Sequence, residues 1–170
     1  MNYMTHHTLA TWLLCIAMMA VLAGCGNGHQ SAQAGPSVGE QLEELMRTEV
    51  TPVSQVLMSE TFAFGSDSTD LQRDLLRQEI IGKTVEWDIL VYEITLEDDV
   101  YKITSQPLPV KSKDAVPVMR VVIFLYPATD VDVDSLRKAK TNDSIRIRGH
   151  VQDILLRSVV VVSPAILSKK

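Results

Sequence analysis

Apolar positions recur along this chain with two different periods, and the change falls at Gly82. Before it the spacing is helical. Glu40 to Arg47 places Leu42, Leu45 and Met46 on one side, and Thr51 and Pro52 end the run. Val53 to Phe64 fits either a helix or an extended segment, and Gly65, Ser66 and Asp67 break it. A second helix begins at Ser68 or Thr69 as the cap, with Asp70 in its first turn. Leu71, Leu75 and Ile81 form its apolar side, Leu76 and Ile80 adjoin them, and Gly82 stops it.

From Lys83 the period is two. Val85, Trp87, Ile89 and Val91 alternate with Glu86, Asp88, Leu90 and Tyr92, which predicts a long strand with one apolar face. Glu97, Asp98 and Asp99 make a polar turn into a second strand, Val100 to Thr104. A proline-containing loop, Ser105 to Pro117, leads to the most apolar strand, Val118 to Tyr126. Asp134 is the expected cap of a short helix, SLRKAK. Thr141 to Asp143 turns the chain into a fourth strand, Ser144 to Val151, and the last strand runs from Ser158 to Ser163, before Pro164. Gly149 falls inside the fourth strand, where a barrel bends.

The fold class this predicts is mostly β: a five-stranded OB-fold-like barrel with N-terminal helices and a short helix between strands 3 and 4. The segments IGKTVEWDI and NDSIRIRGHVQDILLRSVVVV resemble the bacterial tRNA-anti-like OB-fold family over roughly 80–167. The resemblance implies a barrel in which the first and fourth strands are neighbours, and it brings no catalytic motif with it.

Ahead of the domain, residues Leu9 to Gly24 form an almost unbroken apolar run. It is shorter than the roughly 20 residues of a membrane-spanning helix, and suits the middle of a signal peptide. Leu22, Ala23, Gly24 and Cys25 resemble the lipobox of bacterial lipoproteins. That resemblance implies cleavage before Cys25 and acylation of its thiol and amine, including palmitate. The leader departs from the usual pattern in having no Lys or Arg ahead of the apolar run, and an uncleaved N-terminal anchor is the alternative. Residue 26 is Gly where an inner-membrane retention signal has Asp, which by resemblance to enterobacterial sorting implies the outer membrane, facing the periplasm. The expected organisation is a signal peptide over 1–24, a flexible tether over 25–39, a helical segment over 40–81 and a barrel over 82–170. The two cysteines are Cys15, in the leader, and Cys25, so the mature domain is expected to hold no thiol.

Charge and composition narrow the chemistry. The net charge is -5, with 16 basic against 21 acidic residues, a balance that disfavours a nucleic-acid partner. His29 and His150 are the histidines after the leader, too few for a metal centre without thiols. Asp130, Asp132 and Asp134 resemble the start of a calcium loop, but Ser135 and Thr141 occupy the positions that need Gly and Glu. No G-x-S-x-G occurs, and no catalytic set or cofactor motif stands out. Arg120, Arg146 and Arg148 are the candidate ligand face. Arg146 and Arg148 alternate with Ile145 and Ile147, so they point outward, where Glu86 and Asp88 of the first strand are expected as cross-strand partners. These features together predict a non-enzymatic envelope binding module, joined to the membrane through lipid on Cys25 and contacting a protein or another envelope component. The loop 105–117 and the turn Gln152 to Arg157 are its expected contact surfaces. The alternative is a binder of oligosaccharide or single-stranded nucleic acid on the barrel face.

Overall fold

A computed structural model describes residues 36–112 and 115–169, which form one compact unit. Cys25 and its lipobox, most of the tether and His29 lie outside the described residues. Among the described residues three helices precede the barrel: α1 (Val38–Arg47), α2 (Gln55–Phe62) and α3 (Asp70–Ile80). The barrel strands are β1 (Thr84–Glu97), β2 (Val100–Ser105), β3 (Arg120–Leu125), β4 (Ser144–Leu155) and β5 (Val159–Leu167), with α4 (Asp130–Lys138) between β3 and β4. The strands close in the order β1-β2-β3-β5-β4, with β3 and β5 parallel and the other pairs antiparallel. This is the expected OB-like barrel.

β1 closes the ring because it is long enough to serve two neighbours. Its first half, Thr84 to Leu90, pairs with β4, and its second half, from Val91, pairs with β2. A bulge between Val91 and Glu93 separates the halves and supplies the bend. The inward face follows the alternation: Val85, Trp87, Ile89 and Val91 are buried, and they meet Ile103, Ile123, Ile147, Val160 and Val162 in one core. Leu136 from α4, Met58 and Phe62 from α2 and Ile80 from α3 complete it. The Trp87 indole donates to the Val53 carbonyl at 2.9 Å, which satisfies its one polar atom and ties the segment before α2 to the barrel.

Several local expectations change. α1 starts at Val38, capped by Ser37 with Glu40 in a reciprocal box, so the helix takes in residues expected in the tether. The ambiguous stretch is helical, capped by Ser54. Thr69 caps α3, but the inward side of that helix carries Arg73, Leu76 and Ile80, with half-exposed Arg77 at its border; Leu71 and Leu75 are exposed. Its arginines reach neighbouring carbonyls and carboxylates, which lets a polar side face the protein. α4 is capped by Thr129, not Asp134: Asp132 accepts from the Thr129 amide at 2.9 Å, and the aspartate run becomes the first turns of the helix. β5 continues through Pro164. The residues Ser163 and Pro164 fall in the register shifts where Ile123 and Leu125 face Val162 and Ala165, so the absent proline N–H breaks no regular ladder.

Candidate binding surfaces

The candidate arginines are placed on the outside of the barrel. On the β1–β4 ladder Asp88 lies opposite Arg146 and Glu86 opposite Arg148. Arg146 forms a bidentate pair with Asp88, at 3.2 Å from Nε and 2.8 Å from the terminal nitrogen, and lies 3.8 Å from Glu86. The Asp88 hydrogen bonds and charge hold this guanidinium still more firmly protonated. Arg148 does something else. Its Nε donates to the Leu45 carbonyl at 3.1 Å, and a terminal nitrogen donates to the Thr48 carbonyl. It thus takes up carbonyls that the end of α1 leaves without partners, and Glu86 is left to Arg146. Arg120 lies 4.7 Å above the Tyr92 ring and donates to the Ser105 carbonyl at 3.4 Å. The bonds described for Arg120, Arg146 and Arg148 go to different groups.

The two expected contact segments differ in how they are held. Within the loop 105–117, Leu108 is buried, its carbonyl accepting from the Ser59 hydroxyl at 3.0 Å. The Lys111 amide donates to Glu60 at 2.9 Å and the Val116 amide to Phe64 at 3.2 Å. These contacts bind most of the loop to α2 and to the chain just after it. The β4–β5 turn is different. Leu156 and Arg157 both have positive φ, +47° and +56°, and Leu156 is 93% exposed. Arg157 pairs with Asp70 at 2.9 Å, and Asp70 also receives Arg73 at 3.0 Å. Those bonds, the Arg157 one first, hold the Asp70 carboxyl below its ordinary range. Arg77 likewise pairs with Asp153 at 2.7 Å and, helped by the Ile154 amide, lowers that carboxyl.

These pairs fix the turn beside the α2–α3 connection and leave a groove of about 330 Å³ between them. Phe62, Phe64, Val118 and Leu156 supply its apolar walls, with Arg73 and Arg157 alongside. Phe64 is 77% exposed. Residue spacing missed this groove, because its walls come from three separate parts of the chain; the available signal was two leucines, Leu155 and Leu156, inside a turn.

Among the described residues, no group of three or more His, Cys, Asp or Glu is placed to hold a metal ion. His150 is half buried, its Nδ1 at 2.9 Å from the Thr84 hydroxyl on the neighbouring strand, which is a packing role. No described helix is long and apolar enough to cross a membrane.

The barrel and its surfaces define an OB-like domain preceded by α1, α2 and α3. No protein-family model matches the chain, and no curated protein does. Among solved structures, it is similar to a proposed nucleic acid-binding lipoprotein from Klebsiella pneumoniae subsp. pneumoniae, at 12% identity and a TM-score of 0.38, over 78% of this chain and 89% of that one. A likeness of that size carries no argument about what this chain binds.

Proposed function

We propose that this protein is a lipid-anchored, non-enzymatic binding module of the cell envelope, acylated on Cys25 and contacting a protein. The observation that carries the contact is the β4–β5 turn. Leu156 stands in solvent beside the exposed Phe64, over an apolar groove, while ion pairs to α3 hold the turn in place. Exposed apolar patches of this kind mark interaction sites. The anchor reading rests on the lipobox at 22–25, and outer-membrane placement on Gly26. Two or more acyl chains give stable attachment. Cys25→Ser is the test: it removes lipid labelling and releases the domain from membranes. Retention of the serine variant after alkaline washing means an uncleaved anchor instead. For the contact, Leu156→Asp together with Phe64→Ser abolishes site-specific crosslinking from position 118 to an envelope protein; unchanged crosslinks refute the surface.

A second reading has one observation in its favour. Tyr92 is 48% exposed, and Arg120 stacks on it, a pairing of ring and cation that suits a base or a sugar. The acidic balance of the chain weighs against phosphate. Titration of labelled single-stranded oligonucleotides at about 0.15 M salt and again at lower salt decides it. Micromolar binding that falls steeply with salt, and is lost in Arg120→Glu, favours this reading.

A further inference from the structure

β1 outlasts its partner. The β1–β4 ladder ends at Leu90 opposite Ser144, and Val91 then exchanges bonds with Asp143 and Asn142 at 2.9 and 2.7 Å. Within the bulge the Tyr92 carbonyl accepts from the Thr141 hydroxyl at 3.0 Å, the last bond on that side among the described residues. From Glu93 to Glu97 β1 pairs with β2 alone. The hairpin turns through two residues, Asp98 and Asp99, both with positive φ, so Glu97 and Val100 close it as a hydrogen-bonded pair. Backbone groups alternate sides along a strand. Glu97, Thr95 and Glu93 therefore bond to β2, and the N–H and C=O of Ile94 and Leu96 point to the open side. No hydrogen bond from those groups is present among the described residues.

That edge borders a groove of about 310 Å³. Consecutive residues from Val91 to Leu96 line it, as a strand edge does and a strand face does not. Its far wall is the end of α4 and the following turn, with Leu136, Arg137 and Thr141. Arg137 is distinctive. Among the described residues every other arginine has an ion pair, a carbonyl or a ring; Arg137 has none.

We infer that the Ile94–Leu96 edge of β1 is a docking site for an extended polypeptide segment, which adds a strand there and sets a carboxylate against Arg137. This rests on the reading of the protein as a protein-binding module and names the form its partner takes. An extended backbone is the chemistry that matches two outward N–H and two outward C=O groups at strand spacing. A second copy fits poorly. A symmetric antiparallel pairing that uses both free residues is centred on Thr95 and sets Glu93 opposite the Glu97 of the other copy, and like charges directly opposed repel.

The experiment uses the full chain in mild detergent and the capped pentapeptide acetyl-Thr-Val-Glu-Val-Thr-amide as probe, read by amide hydrogen exchange and chemical shifts. In the free chain the Ile94 and Leu96 amides exchange fast. Peptide at about 1 mM slows both by about tenfold, with shifts confined to 92–96 and 136–141. A peptide N-methylated at alternate residues slows neither. Replacing the peptide Glu by Lys weakens binding by about threefold, the size of an exposed ion pair, and Arg137→Glu reverses that preference. Four results each overturn the proposal: amides already protected in the dilute free chain, which means a segment of its own covers the edge; protection that appears only as protein concentration rises, which means a second copy; shifts around Tyr92 and Arg120 or around Phe64 and Leu156 instead; or equal binding of the N-methylated peptide. Membrane release by Cys25→Ser and crosslinking at the Leu156 groove are independent of these readouts, so either reading can fail alone.

Discussion

Arg146 and Arg148 sit two residues apart on the same outward face of β4, and their replacement by Met is expected to have unequal effects. Arg146→Met removes a pair with Asp88 in which the Asp88 side chain is 46% exposed. A solvent-exposed pair contributes little even in bidentate geometry, so a small loss is expected here. Arg148→Met keeps the aliphatic stem and deletes the donors to the Leu45 and Thr48 carbonyls. Hydrogen bonds to a charged group contribute about 1.5–3 kcal/mol each, but these two share one partly solvated guanidinium, so about 2–3 kcal/mol in total is expected. Part of that is the attraction of a cation for the C-terminal end of α1, about 0.3–1 kcal/mol. Urea unfolding followed by Trp87 emission measures both variants, since Trp87 is the only tryptophan after Cys25. At about 1 M salt, where the screening length is near 3 Å, the Arg146 effect shrinks and most of the Arg148 effect remains. Arg148→Lys recovers little, because an ammonium lacks the planar fork that reaches two carbonyls. Equal losses for the two Met variants, or a loss below about 1 kcal/mol for Arg148→Met, refute the assignment of Arg148 to α1.

Trp87→Ala costs about 3–5 kcal/mol by cavity formation, whereas Trp87→Phe keeps most of the packing and leaves the Val53 carbonyl without its donor; a native emission maximum typical of water would contradict the burial. Gly149→Ala is expected to destabilise by about 1–3 kcal/mol in the same urea assay, because an added Cβ lies 2.8 Å from the Ala165 Cβ and 3.0 Å from the Pro164 carbonyl oxygen; a neutral result means that β5 can move aside. Asp70 and Asp153 have lowered carboxyl pKa values in the folded chain, so their contribution to stability is complete above the ordinary carboxylate value near 4 and fades as pH falls through the lower folded values. Unfolding midpoints from pH 6 to about 2 show this loss, and Asp70→Asn with Asp153→Asn flattens it; an unchanged acid limb refutes the pairing.

What was legible in the sequence is what depends on neighbours along the chain. The alternation from Val85 to Val91 marks which residues enter the barrel, and the length of that run foretells a strand serving two partners. The helix between β3 and β4 follows from the turns around it, whereas the pairing of β1 with β4 was implied by the OB-fold resemblance. Less legible were features set by distant contacts. α3 turns Arg73 inward because the Thr61 carbonyl of α2 and the Ser66 carbonyl beyond it receive it, and half-exposed Arg77 reaches Asp153, while Leu71 and Leu75 remain exposed. Arg148 stands opposite Glu86, as expected from the barrel, yet its side chain turns to carbonyls about a hundred residues earlier. A register sets which α-carbons are neighbours; rotamers and competing acceptors then decide which polar groups meet.

The same distinction explains why Leu156 is informative and the arginines are less so. A surface arginine finds a partner wherever a carboxylate or carbonyl is within reach, so its position says little about ligands. Leucine in a turn with positive φ has no such local compensation. The left-handed conformation costs an L-residue about 1–2 kcal/mol, and glycine or asparagine would relieve it. Arg157 beside it has the same strain but also an ion pair to Asp70. Leu156 is 93% exposed and so recovers little by burial within the isolated chain. Burial of a leucine side chain against a partner is worth about 1.5–3 kcal/mol, enough to outweigh the strain. The residue is thus poorly accounted for by the stability of the monomer, which is why the proposed partner contact is assigned to it, on a turn that ion pairs to α3 hold in place.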